Sequence, residues 1–173
     1  MILLDTNVLS ALMNQQPEAR VVDWLDRQPH TSIWTTSITV FEIRSGLQTM
    51  SRGKRRSERI DAFERLLAEI IEHRFVVFDS AAAERAAEIV AERQKRGRPV
   101  EMRDGMIAGI VLATHAKLAT RTVKHFEHIA SSVVNPWEAK GPGNRKAGWL
   151  EHPAPASCTT KPQLRRETKR TWT

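Results

Sequence analysis

The sequence predicts an α/β domain built on a mostly parallel sheet, and three observations carry that expectation. Over residues 1–135, short apolar runs alternate with longer amphipathic stretches, as strands alternate with helices. An acidic residue, Asp5, follows directly on the first apolar run. This places it at the carboxyl end of a strand, where ligands sit in such folds. After Lys140 the pattern stops, because Gly141-Pro-Gly-Asn144 and His152-Pro-Ala-Pro155 cannot continue regular structure.

Taken in order, residues 2–4 (Ile-Leu-Leu) read as a buried strand, 6–13 as a short helix, and 18–27 as a second helix behind Pro17. Residues 32–35 read as a strand. Residues 38–50 read as a helix, with apolar positions 38, 41, 43 and 47 and Ser37 as its cap. Residues 51–56 (Ser-Arg-Gly-Lys-Arg-Arg) read as a break and a charge run. Residues 58–72 then form an amphipathic helix with Ile60, Phe63, Leu66, Leu67, Ile70 and Ile71 on one stripe. Residues 75–78 read as a strand. Asp79 and Ser80 open an alanine-rich helix to Arg96, which Gly97-Arg-Pro99 stops. Asp104 opens a helix to Ala116, and 117–120 and 132–134 supply the last two strands before Asn135-Pro136.

Charge and cysteine content narrow the class. The net charge is +7, but residues 141–173 carry seven basic and two acidic side chains, so +5 of it lies there and the body is only mildly basic. The polar, aperiodic segment 139–173 reads as a basic, disordered tail behind a domain over 1–138. A single cysteine, Cys158, has no internal disulfide partner. The start turns acidic too early for a signal peptide, and no apolar run is long enough to span a bilayer. A cytoplasmic protein with no membrane partner is the expectation.

Three acids stand beside element ends: Asp5 after the first strand, Glu42 inside an apolar helix, and Asp104 at a helix start. Alone, Asp5 and Asp104 read first as helix caps and Glu42 as a solvated side chain. Together they are the donor type that hard cations such as Mg²⁺ or Mn²⁺ take, and such an ion activates water and neutralises phosphate.

Four segments carry a family resemblance. Met1-Ile-Leu-Leu-Asp-Thr-Asn-Val-Leu9 resembles the opening of PIN domains, above all the VapC-type toxins of bacterial toxin–antitoxin pairs. Thr36-Ser-Ile-Thr-Val-Phe-Glu-Ile-Arg-Ser-Gly46 resembles their second motif, with Glu42 as its acid. Gly97-Arg-Pro-Val-Glu-Met-Arg-Asp104 resembles the third, and Ala119-Thr-Arg121 with Phe126 and Val134-Asn-Pro-Trp137 the closing segment. The resemblance spans residues 1–138. It implies a three-layer α/β/α domain and Mg²⁺-dependent (or Mn²⁺-dependent) endoribonuclease activity. Asp5 and Asp104 would hold the metal, and Glu42 would ligate it or orient a water. Thr6, Asn7, Arg121 and Thr122 would support the site or contact RNA. It also implies a homodimer and a cognate antitoxin whose tail plugs the pocket.

The fourth motif departs from the pattern. Relatives usually follow Thr-Arg with Asn or Asp, often with a second Asp three residues on; here Thr122 and His125 stand there, and Glu127 is out of register. The departure implies weaker metal binding, and it leaves an alternative function: a degenerate PIN domain that binds antitoxin or RNA without cleaving. Arg103 reads as a phosphate ligand or as a partner for a carboxylate. His125 and His128, three apart, read as solvated residues on one helical face. The basic run Arg52, Lys54, Arg55, Arg56 and Arg59 reads as an RNA-backbone track or a solvated helix start, and the stripe behind it as core or antitoxin groove. A phosphatase of the paired-aspartate kind is disfavoured by Asn7, where it would need a second acid.

Overall fold

In the computed structural model the chain is described over residues 1–139. The expected tail therefore lies, apart from Ala139, outside the described residues. Five strands form one sheet, β1 (Ile2–Leu4), β2 (Ile33–Thr36), β3 (Phe75–Val76), β4 (Lys117–Ala119) and β5 (Val133–Val134). Their order is β3-β2-β1-β4-β5 and every pairing is parallel. The sheet grows to one side through β2 and β3 and to the other through β4 and β5, so the direction of winding reverses beside β1.

Helices cover both faces, because each strand is apolar on both. Leu3 and Leu4 are both fully buried yet belong to different cores, since successive strand residues point to opposite faces. Leu4 packs with α1 (Thr6–Leu12), α2 (Ala19–Leu25), α3 (Ser37–Thr49) and α4 (Lys54–Glu69). Leu3 packs with α5 (Ser80–Lys95), α6 (Met102–Thr114) and a 3-10 segment, Val123–Ser132. The predicted stripe buries Phe63, Leu66 and Leu67 in α4 and Ile70 and Ile71 just beyond it, with Ile60 partly buried against the same core. The outcome is the three-layer α/β/α domain. No helix of the described residues is long and apolar enough to cross a membrane.

Helix α6 is apolar nearly all round, as a helix sandwiched between neighbours must be. It meets α5 through small residues. A Cβ on Gly109 would stand 2.3 Å from the Ala82 carbonyl oxygen and 2.8 Å from the Ala86 Cβ, so only glycine permits this approach.

Several boundaries differ from the sequence expectation, each for a local reason. Helix α3 begins at Ser37 because Thr36, not Ser37, is its cap: the Thr36 hydroxyl accepts the Thr39 N–H at 3.0 Å. The Ser37 hydroxyl instead accepts the Phe78 N–H. The charge run is not a break throughout, since Lys54, Arg55 and Arg56 form the first turn of α4, which ends at Glu69 rather than 72. Arg56 bonds back to the Leu47 carbonyl and the Gln48 side chain, tying α4 to the end of α3. Asp104 does not open its helix. Glu101 is the cap, accepting the N–H groups of Arg103 and Asp104, and Asp104 lies in the first turn. Asp79 does cap α5, accepting the Ala82 N–H at 2.9 Å.

Candidate active site

The carboxyl ends of β1 and β4 open onto one pocket, at the place where the sheet's winding reverses. Asp5, Glu42 and Asp104 all line it. Asp5 arrives directly from β1, Glu42 from the second turn of α3 behind β2, and Asp104 from the first turn of α6 ahead of β4.

Asp5 serves as cap and pocket carboxylate at once. Its Oδ1 accepts the Thr6 N–H at 2.7 Å, and its Oδ2 accepts the Asn7 side-chain amide at 2.9 Å and the Thr120 hydroxyl at 2.7 Å. The side chain is buried, and burial pushes its pKa up. The hydrogen bonds from Thr120, Thr6 and Asn7 pull against that, and the Asp104 charge adds to it. Asp104 is also raised, first by burial, with the His125 ring lowering it and the charges of Glu101 and Glu42 raising it. The Glu42 carboxylate accepts the Thr6 hydroxyl and lies 3.5 Å from Arg103 Nε. Arg103 is thus a carboxylate partner, 3.0 Å from Glu101 as well.

Asn7 knits the floor together. Its amide nitrogen donates to Asp5, to Thr120 Oγ1 at 3.0 Å and to Thr122 Oγ1 at 3.2 Å, and its Oδ1 accepts the Arg121 N–H at 2.9 Å. Thr122 Oγ1 is therefore an acceptor within this network, and its own N–H bonds to Thr120 Oγ1.

Some residues that line or brace the pocket were not singled out as site members from the sequence. Thr120 is fully buried at the end of β4 and is visible only once β4 is known to pair with β1. Glu18, Arg59 and Trp137 reach the same pocket from α2's cap, α4 and the segment after β5. The two histidines part company, because Phe126 and Ile129 break the 3-10 segment. His125 lies in the pocket with Nδ1 2.9 Å from Asp104 Oδ2. His128 turns away beside Phe126, its pKa lowered by burial and by Arg93. Neither is a plain solvated helix residue. Glu127 is held by Arg93 at 2.9 Å, on the α5 side.

A parallel α/β/α sandwich with acids gathered where its winding reverses is the arrangement of a PIN domain. The chain belongs to that family, whose model, described as PIN domain, matches residues 2–131. Among similar proteins, the plasmid stability protein StbB of Pseudomonas syringae pv. tomato is 39% identical over 139 residues, which is 80% of this chain and 100% of that protein. The VapC ribonuclease Y4jK of Sinorhizobium fredii is 35% identical over 80% of this chain and 99% of its own length. Toxin FitB of Neisseria gonorrhoeae is 33% identical over 79% of this chain and 99% of its own length. Among solved structures, FitAB bound to an IR36 DNA fragment superposes with a TM-score of 0.72 at 32% identity, covering 81% of this chain and 98% of that one.

Proposed function

We propose that the protein is a divalent-metal-dependent endoribonuclease, the toxin of a toxin–antitoxin pair, that hydrolyses phosphodiester bonds in single-stranded or looped RNA. The observation that carries this reading is the meeting of Asp5, Glu42 and Asp104 in one pocket from three separate elements. The family match and the likeness to a VapC ribonuclease and to toxin FitB support it.

The donor chemistry fits a hard divalent cation such as Mg²⁺ or Mn²⁺, since every candidate donor is an oxygen. Among the described residues no three His, Cys, Asp or Glu side chains are already grouped as a metal cage. Mg²⁺ needs only one or two carboxylates and completes its shell with water. Asp5 and Asp104 would hold the ion, whose charge would offset the burial that raises both carboxyl pKa values. A bound ion would offset phosphate charge and make its water a better nucleophile. Glu42, steadied by Thr6 and Arg103, would orient that water. Asn7 and Thr120 hold the Asp5 carboxylate in place, Thr6 and Thr122 complete the floor, Arg59 brings positive charge to the rim for the RNA backbone, and Arg121 stands beside it to contact RNA. A cognate antitoxin and a second copy of the chain complete the proposed assembly.

One observation favours a second reading. Thr122 and His125 stand where the resemblance leads one to expect acids, and His125 already bonds to Asp104. A PIN domain that binds antitoxin without cutting would tolerate both. The deciding experiment incubates antitoxin-free protein with labelled total RNA in Mg²⁺, in Mn²⁺ and in EDTA, beside Asp5→Asn and Asp104→Asn. Discrete cleavage that needs metal and both aspartates supports the nuclease. A folded protein that cuts nothing in either metal leaves the binding reading.

A further inference from the structure

At the rim of the acidic pocket stands a second arrangement that metal binding does not use. The Arg121 guanidinium lies over the Trp137 ring, its Cζ 5.3 Å from the ring centroid. Glu18 engages both partners: one carboxylate oxygen accepts the Trp137 indole N–H, and the other lies 3.9 Å from Arg121 Nη1. All three residues line the pocket that holds Asp5 and Asp104.

The arrangement is anchored from behind. Trp137 packs against the core that contains Leu4 and the α1 side chains. Its backbone N–H donates to Asn135 Oδ1 at 3.1 Å, and its carbonyl accepts Arg20 Nη1 at 3.2 Å. The Arg121 backbone is pinned by Asn7, the same side chain that donates to Asp5. The Arg121 side chain is nevertheless 64% exposed. The stack therefore has one face settled on the protein and a flat, solvated guanidinium on the pocket side.

Arginine planes and aromatic rings are the surfaces on which unpaired bases stack, and a base inside a duplex has no free face to offer. Glu18 offsets part of the guanidinium charge while leaving its plane intact, which favours stacking over a bare phosphate contact. We infer that Arg121, backed by Trp137 and held by Glu18, is a base-stacking subsite that receives one unpaired nucleobase of single-stranded RNA beside the phosphate placed at Asp5 and Asp104. The inference rests on the ribonuclease reading of the same pocket.

The test uses the full chain carrying Asp104→Asn, so that RNA is bound without being cut. The probe is a fluorescein-labelled single-stranded RNA of about ten nucleotides, with a parallel set in which each position in turn is abasic. Anisotropy titrations compare Arg121 with Arg121→Lys, which keeps the charge and loses the plane, and with Arg121→Gln. Because the lysine variant has the same net charge, any contribution from the basic residues 141–173 cancels. The expected result is one position at which removing the base weakens binding about tenfold, with Arg121→Lys causing the same loss and abolishing the effect of the abasic site. Equal binding by the arginine and lysine proteins, or abasic losses unchanged by the substitution, overturns the subsite. Parallel cleavage by the unsubstituted protein separates the two failures. If it cuts RNA while the lysine variant binds normally, only the subsite falls. If it neither binds nor cuts RNA, the ribonuclease reading falls and the subsite with it.

Discussion

His125 Nδ1 lies 2.9 Å from Asp104 Oδ2, so an imidazole rests against one of the two carboxylates proposed to hold metal. It does so from the position at which the closing motif of the PIN resemblance calls for an acid. Replacing His125 with Asp would put a second carboxylate beside Asp104. Like charges then destabilise the metal-free protein, and a divalent cation relieves them. His125→Asp should melt below the unsubstituted protein in EDTA, show the larger rise in Tm with Mg²⁺, and bind Mg²⁺ about tenfold more tightly. Differential scanning fluorimetry and calorimetric titration read both effects. An unchanged Mg²⁺ response would show that position 125 lies outside the ion's reach.

Asp104 carries a pKa raised above its ordinary value, chiefly by burial and further by the charges of Glu101 and Glu42. For a carboxyl raised on folding, the favourable contribution is present below the unfolded pKa and is lost as pH climbs through the folded one. At neutral pH the folded protein therefore bears a cost that an amide would not. Asp104→Asn should melt higher than the unsubstituted protein at about pH 7, and the gap should close toward about pH 3, below the ordinary value of the free group. Cleavage should be lost in the same variant. Melting curves across this range decide the matter, and a variant less stable at every pH would contradict the burial argument.

Asn7 makes four hydrogen bonds in the pocket floor, to Asp5, Thr120, Thr122 and the Arg121 backbone. Asn7→Ala should cost about 1–3 kcal/mol in urea unfolding, because it strands polar partners with little access to water. It also removes a donor that favours the charged form of Asp5, so the Asp5 pKa should climb further. The acid limb of the cleavage profile is then expected at higher pH. A variant with reduced stability and an unmoved acid limb would mean that Asp5 titration does not govern activity.

Gly109 and Gly46 form a matched pair, both inside helices. A methyl at 109 would meet backbone at 2.3 Å, whereas one at 46 meets nothing within 4 Å. Gly109→Ala should lower stability by about 1–3 kcal/mol or more, and Gly46→Ala should raise it by about 0.5–1 kcal/mol. Chemical denaturation of the two variants tests whether α5 and α6 pack as closely as described.

What was legible in the sequence was local. Strand or helix character follows from apolar period and capping chemistry, which act over a few residues, so the α4 stripe and the Asp79 cap were readable in advance. The misjudged boundaries came from local options that packing decided: Thr36 and Ser37 are both good caps, and at α6 the poorer capping residue Glu101 took the cap in place of Asp104. The acids themselves were identified from the motif resemblance, not from periodicity. Their convergence, together with His125 on Asp104 and the Glu18–Arg121–Trp137 cluster, depends on the strand order β3-β2-β1-β4-β5. The Glu18 to Trp137 bond spans 119 positions, and no short-range pattern encodes a contact between segments so far apart. The sequence by itself determined the kinds of elements and the supply of carboxylates. The tertiary structure decided which side chains share the pocket, because parallel pairing of distant strands is what brings their carboxyl ends to one edge.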